Sequence, residues 1–312
     1  MTAFCLLLYF FLYIFFCGYQ PDKNKLQPVK SIDYNLSSPD KILVLPHLLH
    51  EISGITETDA TSIACVQDEH GILYIYDIVK NQIIKQFYFS YDGDYEGVAR
   101  VDKTLYILRS DGMLFGIVNY ESGNFKRVSY STGTPTKDNE GLCYDQKNNR
   151  LLIAPKDNPW KESENKDLRE IYSFDLSTKK LTKNPAFEFD LSLIERFALD
   201  NKIKVPMKSN KKGNEKKPDI KFRTSAIAIH PLTNKLFVVS ASEHLLYVFD
   251  MNGNIEYLER LDPDMFNQPE GITFLKNGDM LISNEGQDKN PTLLRFNYKK
   301  PKVASIVGRI PS

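Results

Sequence analysis

Five copies of one short phrase constrain this chain more than any other feature. A small or acidic residue is followed by Gly or Ala, and then by an alternating apolar run. The copies are Ser53-Gly54-Ile55, Glu96-Gly97-Val98, Glu140-Gly141-Leu142, Ser225-Ala226-Ile227 and Glu270-Gly271-Ile272. Their steps are 43, 44, 85 and 45 residues, so the long step is one repeat plus an insertion. A period of roughly 40–45 residues filled with short strands is the signature of propeller blades. The fold class that follows is all-β: a five-bladed β-propeller preceded by an N-terminal signal or anchor segment. In such a fold the first strand of each blade lines the central channel, so the five phrases should meet on one ring.

The strand pattern repeats within each period. Thr61 to Gln67, Leu73 to Asp77 and Ile83 to Phe89 read as the later strands of blade one, with a turn at Asp68-Glu69-His70-Gly71. The other blades repeat this with turns such as Ser110-Asp111-Gly112 and Lys276-Asn277-Gly278-Asp279. Asp40 to Pro46 is a spare strand ahead of the first phrase. It is expected to join the last blade and close the ring, because closure removes exposed sheet edges. Val303 to Ile310 is one more strand candidate.

The ends and the insertion read differently. Ala3 to Cys17 is an unbroken apolar stretch, too short for the roughly 20 residues of a spanning helix and suited to a secretory leader. The expected organisation is a signal peptide at 1–17, a linker at 18–38 and the propeller at 39–312. The leader is of the lipoprotein type, with Cys17 as the lipidated residue; a plain cleaved signal or a retained anchor is the alternative. The expected location is the cell envelope, tethered to a bacterial membrane. Residues 190–221 form the insertion. Asp190 to Asp200 spaces its apolar residues like a short helix, and Lys202 to Lys221 carries eight lysines and reads as a mobile surface loop. An anionic lipid or polysaccharide is the sharper reading of that stretch. Lys156 to Arg169, with the only Trp, reads as a solvated extension. Charges balance at 40 against 40, so no bulk field attracts nucleic acid. Cys65 and Cys143 sit in strand-like runs, and two buried free thiols are favoured over a disulfide.

The ring carries the chemistry. Just before each small residue stand Ser53, Glu96, Glu140, Ser225 and Glu270. Two residues earlier stand Glu51, Asp94, Asp138, Arg223 and Gln268. Residues two apart on a strand share a face, so both sets point at the channel as two layers. Glutamates converging on a narrow channel must bind a cation, protonate or attract a cationic partner. All-oxygen donors suit Ca²⁺ better than Mg²⁺. The competing reading is that each Glu only caps a strand. A second polar set ends the second strands, Gln67-Asp68, Arg109-Ser110, Lys156-Asp157, Ser242-Glu243-His244 and Asn284-Glu285; in it Glu243 and Glu285 are further candidate ligands and Arg109 and Lys156 candidate anion binders. Ser53, Ser225 and Arg223 complete the ligand-binding set. No nucleophile elbow, P-loop or His-Glu-x-x-His zinc motif is present, and the Asp92 to Lys103 stretch lacks the closing Glu of an EF-hand.

With these segments placed, the chain resembles the SdiA-regulated family of bacterial envelope proteins. The matching segments are Glu51 to Ile55, Tyr95 to Val98, Asn139 to Leu142, Ser242-Glu243, and Gln268 to Ile272 with Ser283 to Glu285. The resemblance implies a five-bladed propeller similar to the NHL type that binds calcium. It carries the metal onto Glu96, Glu140 and Glu270, with Glu51, Glu243 and Glu285 alongside. Blade four departs, with Ser225-Ala226 in place of Glu-Gly. The expected function is an exported, calcium-binding module for a small molecule or envelope protein. The alternative is a calcium-dependent hydrolase of lactonase or phytase type, for which His244 and Glu243 are the candidate bases.

Overall fold

The computed structural model describes residues 31–122, 124–158, 166–209, 213 and 216–299. The leader with Cys17, most of the linker, the tail strand at 303–310 and the Trp-bearing part of the blade-three extension lie outside them.

Five antiparallel sheets form a closed ring. Blade one is Ile52–Glu57, Ser62–Gln67, Ile72–Asp77 and Gln82–Tyr88. Blade two is Tyr95–Val101, Thr104–Arg109, Met113–Val118 and Lys126–Ser131. Blade three is Asn139–Asp145, Arg150–Pro155 and Leu168–Asp175, with its outer strand broken into Lys180–Leu181 and Phe187–Asp190. Blade four is Ala226–Ile229, Leu236–Ser240, Leu245–Phe249 and Ile255–Arg260. Blade five is Pro269–Phe274, Met280–Asn284 and Thr292–Phe296, completed by Lys41–Val44. That N-terminal strand pairs antiparallel with Thr292–Phe296, as expected from Asp40 to Pro46. Each inner strand packs on the next, and the fifth returns to the first.

Burial follows from this layout. The middle strands lie between neighbouring blades, so Ser62–Gln67 and Ile72–Asp77 are buried throughout and read as continuous apolar runs. The outer strand Gln82–Tyr88 is largely exposed. Cys65 and Cys143 are buried free thiols on different blades.

The insertion is better ordered than its composition suggests. Leu191–Asp200 is helical, and the Asp190 carboxylate caps it by accepting from the Ser192 N–H at 2.8 Å. Leu191, Ile194, Phe197 and Ala198 pack with Phe187, Phe189 and Phe249 between blades three and four. The Lys-rich stretch predicted as a loop is a two-stranded ribbon, Met207–Ser209 with Lys216–Pro218. Its base is pinned because Val205, Ile220 and Phe222 are buried in the same core. Among the described residues, no helix is long and apolar enough to cross a membrane.

Candidate cation site in the central channel

The recurring phrase forms a β-bulge in four blades. In blade two Tyr95 pairs with Arg109 and Gly97 with Leu108, which leaves Glu96 as the extra residue. Glu140 and Glu270 are extra in the same way in blades three and five. Blade one shifts register between Ile52 and Ile55, around Ser53-Gly54. A bulge re-aims one side chain and bends the strand. The Gly that follows is required by close approach: a Cβ on Gly97 would lie 2.6 Å from the Leu142 Cβ, and one on Gly54 2.6 Å from the Val98 amide nitrogen. Blade four has no such shift.

The five phrases converge on the axis. A cavity there is lined by Gly54, Glu96, Glu140, Ser225 and Glu270 with apolar neighbours. Its volume is about 10 Å³, room for a single water-sized occupant. A water or a small cation fits that space. Glu140 and Glu270 are 3% and 6% exposed. Burial, with the neighbouring carboxylates adding to it, raises the Glu96 carboxyl well above its usual range. Burial also raises Glu140, against the opposing pull of Lys156. Glu270 is pushed up to about 8 by burial and by Glu140 and Glu285.

The two predicted layers do touch. The Gln268 amide donates to Glu270 Oε1 at 2.5 Å. The Asp94 and Asp138 carboxylates lie near enough to Glu96 and Glu140 to raise them further.

A second ring forms at the channel mouth, where the second strands end. A backbone hydrogen bond recurs there: Asp68 N–H to Glu51 O, Ser110 to Asp94, Lys156 to Asp138 and Glu285 to Gln268, at 2.9–3.2 Å. These bonds make Asp68, Ser110, Lys156 and Glu285 equivalent positions. Carboxylate oxygens of Glu51, Asp68 and Glu285 lie within 4.8 Å of one another. Asp68 Oδ1 is buried with no hydrogen-bond partner. Burial, helped by these mutual charges, pushes Asp68 up to about 6 and Glu285 up to about 7. His50 Nδ1 lies 2.6 Å from Glu51 Oε1, and that hydrogen bond raises the imidazole above its usual range.

Of the remaining predicted residues, Arg109, Arg223, Glu243 and Ser225 bond outside the ring glutamates, and Ser53 and Lys156 bond to them. Arg109 stands one step before the mouth position and forks onto Asp111 at 2.8 and 3.0 Å. Arg223 Nε pairs with Asp157 at 3.2 Å. Glu243 accepts from the Lys221 and Arg223 N–H groups, Ser240 Oγ and Tyr247 OH, a cap for the end of the insertion. His244 is a turn residue with φ 51°. Ser225 Oγ donates to the Pro269 carbonyl at 2.8 Å, joining blades four and five, and Ser53 Oγ donates to Glu96 Oε2 at 3.2 Å. Lys156 Nζ donates to Glu140 Oε1 at 2.9 Å, so it meets an anion of the ring itself. Asp68 and His50 were not among the site residues read from sequence. Asp68 stood with Glu285 in the polar set at the ends of the second strands without being named a ligand; nothing in the sequence signals His50.

The residues present fit a hard cation. The Glu51–Asp68–Glu285 trio offers carboxylate oxygens, one of them buried without a partner, beside a channel of ionic size.

Residues 208–303 match the SdiA-regulated family. The match covers blade four and the three C-terminal strands of blade five and bears out the resemblance drawn from the phrases. Among solved structures, glutaminyl cyclase from Myxococcus xanthus is similar at 11% identity and a TM-score of 0.54, over 83% of this chain and 95% of that one. That likeness shows the propeller fold alone. A streptogramin B lyase is similar at 14% identity and a TM-score of 0.45, over 82% of this chain and 97% of that one. No curated protein matches the sequence.

Proposed function

We propose that this chain is an exported, calcium-binding β-propeller of SdiA-regulated type that acts as a binding module through its channel mouth. The observation that carries the reading is the Glu51–Asp68–Glu285 trio, with a buried, unpartnered oxygen, set over an ion-sized channel. Glu51, Asp68 and Glu285 would hold the metal. Bound there, calcium would neutralise the mouth and give a ligand oxygen an electrophilic partner. Glu96, Glu140 and Glu270 line the axis behind it.

The path of the chain supports a tether that leaves the mouth open. Tyr34 OH donates to the Gly278 carbonyl, and the Lys299 N–H bonds the Asp33 carbonyl. Both ends of the described chain therefore sit on the rim opposite the mouth. A lipid anchor at Cys17 would hold that opposite rim toward a bacterial membrane and turn the mouth toward small molecules or envelope proteins.

Calcium titration of the full chain by calorimetry, after chelator treatment, tests the reading. Binding that is lost in Glu285→Gln is the expected result; no binding to the wild type overturns it. One observation favours a hydrolase as the second reading: the His50–Glu51 pair places a base beside the mouth. Hydrolysis of a lactone or phosphoester that disappears in His50→Gln would select it.

A further inference from the structure

Lys156 and the mouth carboxylates Asp68 and Glu285 hold equivalent places, fixed by the same backbone hydrogen bond. Their side chains do opposite things. The Lys156 ammonium reaches the axial ring and donates to Glu140, which is 3% exposed. It lies in the field of Glu270 and Asp138 as well, and of Glu285 at the mouth. The neighbouring cation, Arg223, is turned to Asp157 instead. Lys156 does not line the axial cavity, so it opposes a metal there by charge and by holding Glu140 Oε1, not by filling the space.

We infer that Lys156 is the channel's resident counter-ion: its ammonium, bonded to Glu140, neutralises the Glu96–Glu140–Glu270 ring and so confines a divalent cation to the mouth. The identity of that cation rests on the calcium reading above. The consequence is a count. The wild-type chain binds one calcium, and a chain without the ammonium binds two, because the ring, no longer neutralised at Glu140, becomes a second carboxylate site. The mouth calcium should also bind on the order of tenfold tighter once a like charge nearby is gone.

Lys156→Met in the full chain, titrated with calcium chloride by calorimetry and by thermal melting, tests this. The expected result is a gain of one calcium per chain and a larger calcium-induced rise in melting temperature than in the wild type. An equal number of calcium ions in both proteins overturns the inference, even if the variant melts lower, since that is all a purely structural lysine would do. Calcium bound by the variant but not by the wild type supports the role of Lys156 and removes the wild-type calcium reading. No binding by either removes both. Should Lys156→Met fail to fold, Lys156→Gln keeps an amide donor for Glu140 and is judged by the same count.

Discussion

Blade three and blade five present the same backbone to the channel and opposite charges. Both have a bulged glutamate followed by Gly, and both end the second strand with an N–H bonded to the residue two before that glutamate. Blade three places Lys156 at that end; blade five places Glu285. Glu140 therefore keeps a cationic partner while Glu270 has only the Gln268 amide. The difference teaches that propeller symmetry fixes positions and leaves the charge at each position to the sequence. Here it splits one channel into a self-neutralised side and a side that lacks cations. Blade two shows the neutral case, with Ser110 at the mouth and Arg109 bonded within its own turn.

Gly97→Ala should have the largest effect, because it destroys the ring that both blades share. The new Cβ would meet the Leu142 Cβ at 2.6 Å and the Glu140 carbonyl at 3.0 Å. Urea unfolding should show a loss of about 3 kcal/mol, the upper part of the usual overpacking range. A loss below about 0.5 kcal/mol would mean the inner strands are not packed this closely.

Removing the blade-three cation comes next. Without metal, Lys156→Met should lose about 1–2 kcal/mol, less than the roughly 3–5 kcal/mol of a fully buried pair because the lysine side chain is 41% exposed. The matching change in blade five, Glu285→Gln, should instead leave metal-free stability unchanged or raise it. If both variants fall equally, the two sides of the channel are electrostatically alike and the comparison fails.

The carboxylates also set a pH dependence. Glu270 is raised to about 8 in the fold, from an ordinary value near 4.5. The folded chain then holds a proton that the unfolded chain has released. The protonated form contributes stability that is complete below about pH 4.5 and lost as pH rises through about 8. Metal-free protein should therefore weaken from pH 5 to 8, and Glu270→Gln should flatten that slope. Buried His230 acts in the other direction: its value falls to about 4, so its contribution is lost as pH drops from about 6.5 through 4. Melting curves across pH 4–9, with and without calcium, separate the two.

Arg109→Gln should matter least, within about 0.5 kcal/mol, since it breaks an exposed pair with Asp111. It should leave calcium binding unchanged. A marked gain of calcium affinity would show that blade two also faces the mouth electrostatically.

The phrase spacing alone made the ring, the five blades and the closing strand legible, because each blade must place a short, small-residue strand at a crowded axis. The helix after Asp190 was legible from its apolar spacing. The Lys-rich ribbon was not, because its three apolar anchors, Val205, Ile220 and Phe222, are diluted by lysines and bury only against blades three and four. The site was half legible. Glu96, Glu140 and Glu270 carry the phrase and could be named from it. Glu243 shares their chemistry but lies at the end of the insertion, where local N–H groups saturate it.

Sequence by itself determined which side chains reach the axis, because a repeat of fixed length and a Gly at the point of closest approach leave one geometry open. Tertiary structure decided what those side chains face. The pairing of Lys156 with Glu140 is a contact within one blade that no spacing encodes. The meeting of Glu51, Asp68 and Glu285 joins the first blade to the last across more than two hundred residues. Charge is written into a sequence residue by residue, but its partner is fixed only when the ring closes.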